Sequence, residues 1–255
     1  MPDMQKVYSL PRSLKDRPHH YCPGCGHGIV LSIIGELIDE FGIREKTVGI
    51  APVGCSVLLY QYYDFDSVQA SHGRAPAVAT GLKRANPDLF VLSYQGDGDL
   101  AAIGTAESIH IANRGENITT IFINNAIYGM TGGQMAPTTL IGQKSQTTPY
   151  GRNAKTEGYP IRFCELLNTL EAPYFISRVT VATPQERIKA KQAIKKGFQY
   201  QLDGKGYSFI EVLSQCPTNW GMSPVDSIKW LKDNMIKYYP LGTLRDRGAS
   251  PQTPA

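Results

Sequence analysis

The 255-residue chain contains no apolar run approaching the ~20 residues that a bilayer-crossing helix needs, so a membrane span is not expected. Its opening, MPDMQKVYSLPRSLKDRPHH, lacks the apolar core of a secretion signal, and the expected location is cytoplasmic. No basic stripe with interleaved aromatics is present. The 26 lysines and arginines are scattered against 22 acidic residues for a net charge of +4, and a nucleic-acid partner is not expected. Neither Gly-x-Gly-x-x-Gly nor a Walker-type Lys-Ser/Thr follows an early strand, which argues against a nucleotide-binding α/β protein. Internal repeats and low-complexity segments are absent too. Five cysteines, an odd number, do not make a disulfide framework; in a cytoplasmic protein they read as metal ligands or buried thiols.

What the sequence does contain is strand and helix in alternation. Short stretches rich in Val, Ile, Phe and Tyr predict strands at Thr47–Pro52, Ser67–Ala70, Leu89–Tyr94, Ile118–Asn124, Tyr174–Val179 and Tyr207–Leu213. Helical periodicity marks Gly28–Phe41 with Gly42 as its stop, then Ala75–Ala85, Leu100–Asn113, Arg162–Leu170, Gln185–Gln201 behind a Thr183-Pro184 start, and Val225–Lys237. The pattern predicts an α/β fold with a doubly wound, mostly parallel sheet. One domain over residues 1–240 is expected, with a flexible tail at 241–255. In such sheets ligands bind beyond the carboxyl ends of the strands, where both polar motifs of this chain fall.

The first motif is Gly96-Asp97-Gly98-Asp99, between a strand and a helix. Glycines there allow a phosphate to approach the backbone, and a helix start offers unpaired N–H groups. Two aspartates would repel that phosphate unless a cation lies between, which points to Mg²⁺. Asn125, 28 residues beyond Asp97 at the next strand end, completes the pair. Asp97, the Asn125 amide oxygen and a nearby backbone carbonyl then supply an oxygen ligand set. Read separately, Asp-Gly and Asn-Asn are ordinary polar turns; their one-crossover spacing is the informative feature.

The second motif is built of cysteines. Cys22-Pro-Gly-Cys25 sets two thiols on a tight turn, Cys55 follows a strand in Val-Gly-Cys-Ser, and Cys216 follows the last predicted strand in Cys-Pro-Thr-Asn-Trp. Four thiolates suit tetrahedral zinc or a 4Fe-4S cluster equally. Cys164 lies on a helical pattern and reads as core.

Gly96-Asp97-Gly98 followed by Asn124-Asn125-Ala-Ile-Tyr-Gly-Met-Thr-Gly-Gly-Gln134 resembles the thiamine diphosphate signature of the beta subunits of 2-oxo acid:ferredoxin oxidoreductases. The resemblance covers nearly the whole chain. It implies a thiamine-diphosphate-binding fold of the diphosphate type, with Mg²⁺ on Asp97, Asn125 and the carbonyl of Ile127, and with Tyr128, Gly129, Met130 and Thr131 lining the cofactor. It makes Ser56, His72 and Gly73 further lining candidates, with His72 the one catalytic candidate, and assigns Cys22, Cys25, Cys55 and Cys216 to one 4Fe-4S cluster. The implied reaction is oxidative decarboxylation of a 2-oxo acid to acyl-CoA and CO₂, thiamine acting as electron sink and the cluster passing electrons to ferredoxin. The glutamate that such enzymes use on the pyrimidine belongs to another domain, so the resemblance also implies an alpha subunit and small gamma- and delta-type subunits.

The motif wording looks nearer to 2-oxoisovalerate than to pyruvate versions. A 2-oxoglutarate version would need one more cation, for which Lys144 and Arg152 of the long segment 133–152 are candidates; that segment is read either as a cover over the substrate or as a solvated surface loop. Two alternatives stand beside this reading: a zinc-containing, non-redox decarboxylase or carboligase subunit, and a non-catalytic iron–sulfur electron-transfer subunit.

Overall fold

A computed structural model describes residues 9–249. Seven strands form one sheet: β1 Thr47–Ala51, β2 Asp66–Gln69, β3 Phe90–Gly96, β4 Thr119–Asn124, β5 Phe175–Thr180, β6 Ser208–Leu213 and β7 Gly242–Asp246. Their order is β2-β1-β3-β4-β6-β5-β7, and every pairing is parallel except β5 with β7. All residues of β1, β4, β5 and β6 are buried, as befits parallel strands covered on both faces, whereas the edge strand β2 is partly exposed.

The covering helices are α1 His27–Phe41, α2 Ala75–Ala85, α3 Thr105–Asn113, α4 Ala154–Glu157, α5 Phe163–Asn168, α6 Pro184–Leu202, α7 Pro217–Trp220 and α8 Pro224–Trp230. On one face α1 and α6 bury Val30, Ile33, Leu37, Ile194 and Phe198 against the sheet. On the other, α2, α3 and α5 bury Ala79, Ile111, Phe163 and Leu167. The stop and start signals act as expected from their chemistry. Gly42 takes a left-handed φ of 62° and closes α1 onto Asp39 O and Ile38 O, and the Thr183 hydroxyl caps α6 through Glu186 N. Among the described residues no helix is long and apolar enough to cross a membrane.

Two expectations need correction. The predicted helix Leu100–Asn113 is divided: Gly98–Ile103 coil with π-helical bonding, and α3 begins only after Gly104. The expected flexible tail from residue 241 also begins too early, because Gly242–Asp246 form β7 at the sheet edge. Distant side chains hold it there. Asp246 Oδ1 accepts from Tyr200 at 2.6 Å, Lys196 pairs with the same carboxylate, and Arg245 donates to the carbonyl of Asn168 at 2.6 Å. Residues 250–255 of that tail lie outside the described residues.

A buried ion pair ties β5 and β6 to the end of β4. Arg178 Nε donates to Glu211 Oε2 at 2.8 Å, both side chains being fully buried, and Glu211 Oε1 accepts from Asn124 Nδ2 at 2.7 Å. Truncating one partner leaves the other charge buried and half-satisfied. Glu211→Ala is therefore expected to cost about 3–5 kcal/mol, measured by denaturant unfolding; a cost under about 1 kcal/mol would mean that water replaces the carboxylate.

Candidate functional site

The strand ends gather the chemistry. Cys55 follows β1, His72 follows β2, Asp97 follows β3, Asn125 follows β4 and Cys216 follows β6, all on the carboxyl edge of the sheet. The chain order reverses between β1 and β3, the position where open α/β sheets leave a crevice. Here a cavity of about 140 Å³ is lined by Ser56, His72, Gly96, Asp97, Gly98, Asp99, Asn125, Ile127, Tyr128, Gly129, Met130 and Thr131, together with His27, Val53 and Cys55. Of the cofactor candidates, only Gly73 is outside that lining. Its N–H donates to Asp99 Oδ1 at 2.7 Å.

Asp99 itself is fully engaged with the protein. Besides Gly73 it meets His72 Nδ1 at 2.9 Å, and its second oxygen accepts from Gln95 Nε2 at 2.6 Å. The carboxylate thus fixes the His72-Gly73 turn against the start of the π-helical segment, which leaves Asp97 as the aspartate facing the ion position.

Asp97 is buried, and Asn125 N donates to its Oδ1 at 3.1 Å while the Thr138 hydroxyl donates to Oδ2. Burial nevertheless pushes its carboxyl up to about 7, because those hydrogen bonds only partly offset desolvation. The Asn125 amide has the same shape either way round: set with its nitrogen toward them it donates to Asp97 Oδ1 at 3.0 Å and to Ile127 O at 2.6 Å, and set the second way its oxygen faces those same atoms. The second setting brings three oxygens together with no hydrogen between them. Octahedral Mg²⁺ with oxygens at about 2.0–2.1 Å has edges of about 2.9 Å, close to these separations. The donor set and the uncompensated carboxylate both fit a small hard cation.

The turn that carries these atoms is held in a costly shape. Ala126, between Asn125 and Ile127, has φ +56°, rare for a residue with a Cβ. Its N–H donates to Asn124 Oδ1 at 3.1 Å, and its carbonyl accepts from Thr139 Oγ1 at 2.7 Å and Gln143 Nε2 at 3.0 Å. Thr139 and Gln143 belong to segment 133–152, which corrects its reading as a substrate cover: among the described residues none of it lines the cavity, and it packs against the Asn125–Ile127 turn instead. Arg152 is likewise no substrate cation. It is 5% exposed, and its Nε, Nη1 and Nη2 donate to the carbonyls of Gly158, Pro137, Thr139, Glu157 and Tyr159 at 2.6–3.0 Å. Lys144 is exposed outside the cavity lining.

The four cysteines line a second cavity, of about 230 Å³. β1 and β6 are separated by β3 and β4, roughly 14 Å at the usual strand spacing, so the loops close that gap. Cys22 is exposed, Cys25 and Cys55 are half-buried and Cys216 is buried. Desolvation pushes the Cys25 thiol up to about 11 and the Cys55 thiol up to about 12, and raises Cys216 as well. Such thiols ionise when a metal takes the proton's place. Among the described residues no three His, Cys, Asp or Glu side chains meet closely enough to share one metal ion; the thiols ring a space instead. Cys164 is fully buried on α5 beside Phe163 and Leu167.

The segment after β6 sews this cavity together. Ser214 Oγ accepts from Gly26 N at 3.2 Å, and Gln215 Nε2 donates to Gly24 O at 2.7 Å, pinning the Cys22–Cys25 turn. Asn219 Nδ2 donates to Cys216 Sγ at 3.4 Å and to Gly129 O at 2.9 Å, while Trp220 Nε1 donates to Asn125 O at 3.1 Å. Gly129 is where the cavities touch: a Cβ there would stand 3.1 Å from Cys55 Sγ. His27, Cys55, Asn125, Gly129 and Met130 line both spaces, so the partition is one residue thick. Ser214, Gln215, Asn219 and Thr138 were not singled out from the sequence, although Asn219 lies inside the Cys-Pro-Thr-Asn-Trp motif; His27, which the sequence offered as a possible zinc ligand beside Cys25, lines both cavities.

Comparison with known proteins agrees with this geometry. Residues 52–212 match the thiamine pyrophosphate enzyme C-terminal TPP-binding domain. The 2-oxoglutarate synthase subunit KorB of Methanocaldococcus jannaschii is 44% identical over 225 residues, covering 86% of this chain and 79% of that protein. The chain belongs to the 2-oxo acid:ferredoxin oxidoreductase family. The ketoisovalerate oxidoreductase subunit VorA of Methanothermobacter thermautotrophicus is 53% identical over 255 residues, 96% of this chain and 54% of that protein. The chain therefore spans about half the length of its VorA relatives in the family. A solved 2-oxoglutarate:ferredoxin oxidoreductase from Magnetococcus marinus, with 2-oxoglutarate, coenzyme A and succinyl-CoA bound, superposes with a TM-score of 0.79 at 26% identity, over 97% of this chain and 88% of that one.

Proposed function

We propose that this chain is the thiamine-diphosphate-binding subunit of a 2-oxo acid:ferredoxin oxidoreductase that converts a branched-chain 2-oxo acid of the 2-oxoisovalerate type to acyl-CoA and CO₂. The observation that carries the reading is the shared wall. A cavity with a thiamine-type metal turn and a cavity ringed by four thiols are separated only by residues that line both. That arrangement suits handing electrons from a decarboxylated substrate to a redox centre.

In this proposal Asp97, Asn125 and the Ile127 carbonyl hold Mg²⁺, and N–H groups at the start of the Gly98–Ile103 coil meet the diphosphate. Bound thiamine supplies the electron sink that a departing CO₂ requires. Tyr128 and Met130 orient it from the loop side, and Asp99 keeps His72 facing the cavity. Cys22, Cys25, Cys55 and Cys216 hold a 4Fe-4S cluster, whose size suits thiols ringing a space better than a single ion does, with ligands about 2.3 Å from one centre. Val53 and Met130, 38% and 50% exposed at the cavity lining, are apolar surface for an alpha subunit that brings the pyrimidine-binding part. Coenzyme A and ferredoxin complete the reaction, with gamma- and delta-type subunits as further partners and the cytoplasm as its location. The saturation of Arg152 favours an apolar substrate side chain over 2-oxoglutarate, as does the greater identity to VorA than to KorB.

The test is anaerobic purification of the native complex, followed by iron, acid-labile sulfide, zinc and thiamine analysis and assay with a panel of 2-oxo acids. Iron and sulfide of ~4 each per cluster-bearing chain, with thiamine, support the reading. Zinc without sulfide would turn it into a non-redox decarboxylase or carboligase subunit. Cluster without thiamine would leave an electron-transfer subunit.

A further inference from the structure

The side-chain amide of Asn219 lines the thiol cavity and holds Gly129, a residue that lines the cofactor cavity as well. Its single nitrogen has two hydrogens, and both are used: one toward Cys216 Sγ at 3.4 Å, the other toward Gly129 O at 2.9 Å. The amide cannot rotate to favour one partner without losing the other, and Asn219 is pressed on its far side by Gly133, where a Cβ would stand 3.2 Å from Asn219 Cβ and Oδ1. Its neighbour Trp220 differs in a useful way. The indole N–H reaches only Asn125 O, on the metal side, at 3.1 Å.

We propose that Asn219 is a positioning residue that couples the redox centre to the cofactor loop, setting the centre's reduction potential through Cys216 and the loop's seat through Gly129. The proposal rests on the functional reading above. When the cluster accepts one electron, its added negative charge is shared with the cysteine sulfurs, and an N–H donor on a sulfur stabilises the reduced form. Losing that donor makes the potential more negative. Losing the bond to Gly129 O frees a loop that lines the thiamine cavity, and orienting contacts of this kind are worth ~10–100-fold in affinity. One amide therefore matches the acceptor's potential to the placement of the donor.

The experiment compares wild-type, Asn219→Leu and Trp220→Phe complexes, purified anaerobically with iron and sulfide measured. Midpoint potential is read by EPR-monitored redox titration, and Mg²⁺–thiamine diphosphate affinity by calorimetry. Asn219→Leu keeps the side chain's size without its donor; it is expected to move the potential to more negative values and to weaken affinity ~10–100-fold. Trp220→Phe is expected to weaken affinity and leave the potential in place. An Asn219→Leu complex with full iron and unchanged potential overturns the proposal, as does an equal shift in Trp220→Phe. Should Asn219→Leu lose its iron, Asn219→Ala, which also lacks the donor, is read by the same criterion. A wild-type complex without iron and sulfide would instead remove the underlying functional reading.

Discussion

Complexes carrying Asp97→Ala are expected to leave purification without thiamine diphosphate. Changing groups that only orient a metal's ligands costs ~10–100-fold. Asp97 is the one carboxylate in the proposed ligand set and also accepts the Asn125 N–H and the Thr138 hydroxyl, so its loss should exceed that range. Asp97→Asn separates charge from shape. The amide fills the same space but brings no negative charge to the ion, so cofactor binding is expected to fail while the fold survives. Without metal the variant should melt no lower than wild type, since burial already drives the native carboxyl toward its neutral form, up to about 7. Chelation of wild-type complex should give the same loss of cofactor. Calorimetric titration with Mg²⁺ and thiamine diphosphate reads both effects, and undiminished affinity in Asp97→Ala would remove the metal from this site.

Replacement of Cys216 by alanine is the second large effect. A cluster held by four thiolates loses its most buried ligand, so colour, iron and 2-oxo acid-dependent reduction of ferredoxin should all disappear. Thiamine diphosphate affinity is expected to change far less, because Cys216 is not among the residues lining the cofactor cavity. Cys164→Ala is the matched control. That thiol packs on α5 in the opposite layer, and the variant should keep its iron. Persistence of iron in Cys216→Ala would mean that another group closes the ligand set.

The parallel sheet was legible because buried parallel strands are local runs of Val, Ile and Phe, and all six lie within two residues of their expected bounds. The meeting of Asp97 with Asn125 was legible as well, since one crossover puts neighbouring strand ends together, and Gly96 does pair in register with Ile123. β7 was not. Of its five residues, Gly-Thr-Leu-Arg-Asp, only Thr243 favours a strand, and it is held by Tyr200, Lys196 and carbonyls near Asn168, far along the chain. The same limit hid the contacts of Ser214 and Gln215, whose partners are 188 and 191 residues away. A local period in the sequence cannot encode such contacts. Segment 133–152 misled for a different reason: its polar residues resemble a mobile surface loop, yet Thr139, Gln143 and Arg152 turn inward to satisfy backbone carbonyls.

The left-handed Ala126 has a bearing on how the enzyme would be assembled. A backbone at φ +56° is held by hydrogen bonds with Asn124, Thr139 and Gln143. The unfavourable conformation, worth of order 1–3 kcal/mol, is thus offset by contacts within the protein. In the proposed complex, cofactor uptake would then need little rearrangement on this side of the crevice, and would depend on access across the apolar rim at Val53 and Met130.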